Sequence, residues 1–238
     1  MNMKRIIAAV VCLIGFSFAG FAQKSSPRVP RKPVKNTLTD AEKETRFVRD
    51  LMKKMTLTEK IGQLSQYVGG ELLTGPKSGA VSDSLFVRGM VGSILNVGGV
   101  DNLRKLQQKN MESSRLKIPI LFAFDVIHGY KTIFPTPLAE SCSWDLALMY
   151  ETAKAAAIEA SASGIHWTFA PMVDVARDPR WGRIVEGAGE DTYLGCKIAE
   201  ARVRGFQWNL GKPNALFACA KHFVAYGAPP VSYTHLRA

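Results

Sequence analysis

The run Pro119-Ile-Leu-Phe-Ala-Phe124, followed at once by Asp125-Val-Ile-His128-Gly129, decides the fold class of this chain. An unbroken apolar run of this length makes a strand buried on both faces. Such strands belong to parallel sheets flanked by helices. The same sign recurs on either side. Upstream, Ser93-Ile-Leu-Asn-Val97 is a short apolar strand closed by Gly98-Gly99; downstream, His166 to Ala170 and Leu216 to Ala220 are two more. Helical stretches separate them: Asp101 to Arg115, the alanine-rich Trp144 to Ser163, and Asp191 to Phe206 with Leu194, Ile198, Ala201 and Val203. Strands alternating with helices predict βαβ units and a parallel α/β sheet. Periodicity leaves the choice between a closed barrel and an open doubly wound sheet undecided. No G-x-G-x-x-G follows the first strand, which disfavours the dinucleotide-binding form of the open sheet.

Working back towards the N-terminus, Thr56-Leu-Thr-Glu59 has the form of a capping box. It predicts a helix with Ile61, Leu64 and Tyr67 on one face, ended by Gly69-Gly70. Thr39-Asp-Ala-Glu42 opens an earlier amphipathic helix carrying Phe47, Val48, Leu51, Met52 and Met55. Earlier still, Lys4 and Arg5 precede an apolar run, Ile6 to Phe18, and Gly20 and Ala22 fit a cleavage site after Ala22. Residues 1–22 therefore read as a signal peptide, with export expected, to the periplasm if the host has an outer membrane. The run is shorter than the ~20 residues that cross a bilayer, so an integral membrane protein is not expected. Gln23, not Cys, would start the mature chain, which argues against a lipid anchor.

The formal charge is +11. Much of it, Lys24, Arg28, Arg31, Lys32 and Lys35, sits in a Pro-rich leader, residues 23–38, that has no periodicity and reads as solvated. Elsewhere acids and bases are interspersed, so no nucleic-acid partner is expected. Cys12 would leave with the signal peptide. Cys142, Cys196 and Cys219 fit no metal-site spacing and read as small core residues, with one disulfide of unassigned pairing left open. No cofactor is expected, and oligomeric state is not legible.

Ligands of parallel α/β folds sit at the carboxyl ends of the strands. After the second strand come Asp125 and His128. After the third come Asp174, Arg177, Asp178, Arg180, Trp181 and Arg183, then Glu186, Glu190 and Asp191. After the fourth come Lys221, His222 and Tyr226. Carboxylates that accept, cations that donate and an aromatic face suit a neutral, hydroxyl-rich ligand. A phosphate would have no use for the carboxylates. The chemistry alone points to a carbohydrate-like ligand. Taken singly, each residue has a plainer reading: Asp125 as a turn cap, Arg183 as a surface partner of Glu186 or Glu190, His222 as a satisfied core histidine. Asp178, Arg180 and Trp181 read as loop scaffolding, and Lys131 as a solvated charge.

Five stretches taken in order change that balance. Met55-Thr-Leu-Thr-Glu-Lys-Ile-Gly-Gln-Leu64, Gly92-Ser-Ile-Leu95, Asp125-Val-Ile-His-Gly129, Asp178-Pro-Arg-Trp-Gly-Arg183 and Lys221-His-Phe-Val-Ala-Tyr-Gly227 resemble consecutive signatures of glycoside hydrolase family 3, from about residue 40 to 228. The resemblance implies a (β/α)8 barrel, incomplete here and spanning residues 39–229. It also implies retaining hydrolysis of terminal β-D-glucosyl residues from a β-glucoside or short β-glucan. Asp125, Arg183, Lys221 and His222 would then hold the sugar of the −1 subsite. Asp125 would accept from two hydroxyls, the other three would donate, and Lys221-His222 would be a cis peptide. Val224-Ala-Tyr226 stands where the N-acetylglucosamine-releasing branch carries Pro-Gly-His, which favours glucosidase or xylosidase, glucosidase first.

The family's nucleophile, an aspartate on a later strand, and its acid/base, a glutamate in a following domain, have no counterpart up to Ala238. Asp174, Glu186 and Asp191 do not stand at matching positions. No catalytic residue is therefore expected in this chain, which reads as an inactive N-terminal fragment. The tail, 230–238, departs from the pattern and reads as a truncation or sequencing join, with His235 uninformative. Rival readings are a secreted sugar-binding module without chemistry or a decayed gene product, and an unrelated open-sheet nucleotide binder.

Overall fold

The computed structural model describes residues 38–69 and 81–228. The predicted signal peptide, nearly all of the leader, Cys12, Gly70, the tail and His235 lie outside the described residues. The chain divides at Arg46/Phe47 into two compact units. In the first, helix α1 (Asp40–Lys54) begins with its predicted capping box: the Thr39 hydroxyl accepts from the Glu42 amide (3.3 Å) and the Glu42 carboxylate from the Thr39 amide (2.7 Å). In the second, the remainder of α1 keeps Phe47, Val48 and Met52 exposed. The amphipathic pattern located this helix but did not translate into a buried face.

A second capping box starts α2 (Leu57–Gln63), where Thr56 and Glu59 exchange hydrogen bonds of 3.2 and 2.8 Å. Arg115 grips the same carboxylate at 2.7 and 3.0 Å and, as the main cause, holds Glu59 down to about 2. The helix is shorter than predicted. Tyr67 lies not on its face but in strand β1 (Gln66–Val68), which pairs with Ser93–Leu95. Three residues are too few to show a strand period, and inter-strand pairing overrides the helical spacing.

The remaining elements follow as α3 (Asp83–Val87), β2 (Ser93–Leu95), α4 (Val100–Ser113), β3 (Leu121–Phe124), α5 (Pro137–Ser141), α6 (Leu146–Ala162), β4 (Trp167–Thr168), a 3₁₀ turn (Ile184–Glu186) and α7 (Thr192–Phe206). Asp145 and Asp191 cap α6 and α7 by accepting from Leu148 and Leu194 (2.9 and 2.7 Å). The sheet runs β1-β2-β3-β4, all parallel. Doubly wound sheets reverse strand order partway; sequential order without reversal is the barrel arrangement. This settles the choice that periodicity left undecided.

The predicted strand Leu216 to Ala220 forms only bridges, Trp167 with Phe217 and Met172 with Lys221. It lies parallel beside β4, with Thr168 N donating to Phe217 O (2.8 Å) and Cys219 N to Ala170 O (3.0 Å). Pro171 has no N–H to give, which interrupts the ladder there.

The core lies between sheet and helices. Ile94, Phe122, Ile165 and Leu216 meet the alanine face of α6, Ala153, Ala156, Ala157 and Ala160, together with Phe206. Alanines let α7 approach closely: a Cβ on Gly205 would stand 2.4 Å from the Tyr150 carbonyl oxygen. The cysteines do not behave as predicted. All three are free thiols, and Cys142 and Cys196 are exposed. Cys196 sits on an outward position of α7 and Cys142 just past the end of α5, which a spacing argument does not detect. Among the described residues no helix is long and apolar enough to cross a membrane.

Candidate functional site

Asp125 is the first residue beyond β3, and Lys221 closes the bridge to Met172 beyond β4, so both emerge at the carboxyl end of the sheet. Lys221 Nζ donates to Asp125 Oδ1 at 2.9 Å, joining positions 96 apart in sequence. The lysine side chain is mostly covered, while that of Asp125 is 40% exposed and open to a ligand. The loop that carries Asp125 is fixed from several sides. Val126 N donates to the buried Thr168 hydroxyl (3.1 Å), and Arg202 donates to the Ile127 carbonyl. Glu159 accepts from the amides of Lys131 and Thr132 (2.9 and 2.8 Å).

His222 follows across a cis peptide. Its ring nitrogen Nδ1 lies 2.9 Å from Asp174 Oδ2, and its backbone N–H donates to the same oxygen at 3.1 Å. Tyr226 meets the imidazole edge-on, with ring centroids 4.7 Å apart. Tyr226 also carries the Arg183 guanidinium, 5.6 Å from the ring centroid, a cation–π contact. Glu186 holds Arg183 through Nε and Nη2, both at 2.6 Å. That pairing raises the guanidinium further and lowers Glu186, with the charges of Lys221 and His222 adding to the effect on the carboxylate.

The four residues predicted from sequence are therefore brought into one cluster. Asp125 touches Lys221, and His222 and Arg183 share Tyr226. Arg183 is also paired with Glu186, as its plainer reading had it. Trp181 was offered as an open face for a sugar ring. It is instead 2% exposed and packs edge-on against Tyr226, with centroids 5.6 Å apart. Close packing consumes an aromatic that lies between a strand and a turn, and sequence does not show which side it faces. Asp178 binds Arg180 (2.7 Å) and Asp191 caps α7, both as scaffolding.

Sequence reasoning set aside two residues that reach the cluster, Asp174 and Glu186. The strand-end rule already named both; the missing signal was which cation each faces. No group of three or more His, Cys, Asp or Glu is gathered as a metal site among the described residues.

The fold and the cluster define an α/β chain of the TIM-barrel type with its polar site at the carboxyl ends of consecutive parallel strands. Residues 56–235 match the Glycosyl hydrolase family 3 N terminal domain, and the chain belongs to that family. It is 45% identical over 186 residues to the periplasmic beta-glucosidase of Salmonella typhimurium, covering 76% of this chain and 23% of that one. A putative beta-xylosidase of Formosa agariphila is 30% identical over 200 residues, covering 74% and 26%. The structure of the Listeria innocua beta-glucosidase in complex with isofagomine superposes with a TM-score of 0.73 at 40% identity, covering 79% of this chain and 27% of that one. This chain thus spans about a quarter of the length of the proteins it matches.

Proposed function

We propose that the cluster forms part of the −1 subsite of an exo-acting β-glucosidase that works with retention. The observation that carries this reading is the contact of Asp125 with Lys221, beside His222 and Arg183, at the open end of the sheet. Asp125 accepts from two adjacent sugar hydroxyls, and Lys221, His222 and Arg183 donate to hydroxyls of the same ring. The pairs Asp125–Lys221 and Arg183–Glu186 hold these groups in place before a sugar arrives, so little ordering is left for the binding step. In a retaining hydrolase one carboxylate attacks the anomeric carbon and a second group protonates the leaving oxygen, then activates water. On the family resemblance neither group is expected among residues 39–229. The periplasmic relative supports export by the predicted signal peptide.

The test is an assay of the protein expressed from the complete reading frame that carries this sequence. An aryl β-glucoside is expected to be cleaved with kcat/KM at least about tenfold above the matching β-xyloside, because one subsite hydroxymethyl contact is worth about 1–3 kcal/mol. Proton NMR of the first turnovers should show β-glucose ahead of the α anomer. Absence of cleavage, or α-glucose first, contradicts the reading.

A further inference from the structure

Asp174 is the most deeply buried acid of the cluster, against the part-exposed Asp125 and Glu186. Its side chain is 1% exposed, and both of its hydrogen bonds fall on Oδ2 and come from His222. The other oxygen, Oδ1, is buried without a hydrogen-bond partner. Burying a carboxylate is costly, and a well-packed apolar residue is often the more stable choice at such a position. The segment does not need these bonds to hold its place. Val173 N already donates to Lys221 O (2.6 Å) and Lys221 N to Pro171 O (3.0 Å). What Asp174 alone supplies is control of the imidazole.

A carboxylate can only accept, so the bond at Nδ1 requires that this nitrogen carry the proton. Nε2, which has no partner among the described residues, is then the atom left for a ligand. Tyr226 fixes the ring plane from the side and Asp174 fixes its edge.

We propose that Asp174 is a positioning residue. It anchors the His222 imidazole through Nδ1–H and the backbone N–H, so that Nε2 is presented to a hydroxyl of the bound sugar. This rests on the reading of His222 as a sugar-facing group, and the test separates the two. In the protein from the complete reading frame, two-bond proton–nitrogen NMR of the histidine rings reports the tautomer without any substrate. His222 is expected to carry its proton on Nδ1, alone or together with Nε2. A ring protonated on Nε2 only overturns the proposal, whether or not glucosides are cleaved.

The second readout is kinetic. Asp174→Ala should lower kcat/KM for an aryl β-glucoside by about 10- to 100-fold, the usual range for a residue that orients a ligand-binding histidine. Asp174→Asn, whose amide oxygen can still accept, should recover at least part of that loss. If folded Asp174→Ala keeps kcat/KM within about twofold of the parent, the proposal fails while the glucosidase reading stands. If the alanine variant does not fold, the tautomer of the unmodified protein decides alone.

Discussion

Replacing Asp125 with alanine should cut kcat/KM for an aryl β-glucoside by about two to four orders of magnitude while leaving the melting temperature nearly unchanged. The two halves of this result come from different environments. A hydrogen bond from a sugar hydroxyl to a carboxylate contributes about 1.5–3 kcal/mol. Two such bonds lost from the transition state amount to about 3–6 kcal/mol, at roughly 1.4 kcal/mol per tenfold in rate. Among the described residues the Asp125 carboxylate pairs with Lys221, and its side chain is 40% exposed. Ion pairs of that kind contribute about 0–1 kcal/mol to stability. An unchanged rate removes Asp125 from the site. A large drop in melting temperature assigns it a structural role.

The largest effect on stability should come from a residue that touches no sugar. Glu140 on α5 and Arg202 on α7 form an ion pair of 2.5 Å with side chains 5% and 4% exposed. Arg202 also donates to the Ile127 carbonyl, two residues from Asp125. Burial pushes the guanidinium down and Glu140 opposes that push. Glu140→Ala leaves an uncompensated charge in the core, a change that costs about 3–5 kcal/mol, or roughly 6–20 °C in melting temperature. The paired replacement Glu140→Leu with Arg202→Met should recover most of the stability, since apolar packing replaces such a pair at little cost. It should not recover full activity, because the Ile127 carbonyl has lost its anchor. A single-variant loss below about 1 kcal/mol means that water reaches the pair, and the argument fails.

Much of this was legible in the sequence, for identifiable reasons. Apolar runs marked β2, β3 and β4 because strands of parallel sheets carry little polar period to misread, although Leu121 at the start of β3 is exposed. Capping boxes marked α1 and α2 because Thr39 and Thr56 are residues whose side chains satisfy exposed amides, while alanine content marked α6 and apolar spacing marked α7. Strand β1 was hidden because three residues carry no period, and Tyr67 happened to continue a helical one. The order of the strands, which selects the barrel arrangement, depends on pairings that no single strand encodes.

For the site, strand ends named a longer roll of polar residues, the family resemblance narrowed it to Asp125, Arg183, Lys221 and His222, and the structure gathers these four. Partner choice was the illegible part. Arg183 could be read as facing a ligand or Glu186, and in the structure it grips Glu186 while lying over Tyr226. Asp174 and Trp181 lie in one stretch of sequence, yet one is turned onto His222 and the other packed against Tyr226. Those orientations are set by contacts about 50 residues away in sequence, beyond the reach of any local pattern.

The most direct test of the central claim is a crystal structure of the protein from the complete reading frame with glucose bound. The account predicts a glucose ring at the carboxyl end of the sheet, with Asp125 accepting from two of its hydroxyls and Lys221, His222 and Arg183 within hydrogen-bond distance. Glucose bound elsewhere, with Asp125 still paired only to Lys221, would contradict it.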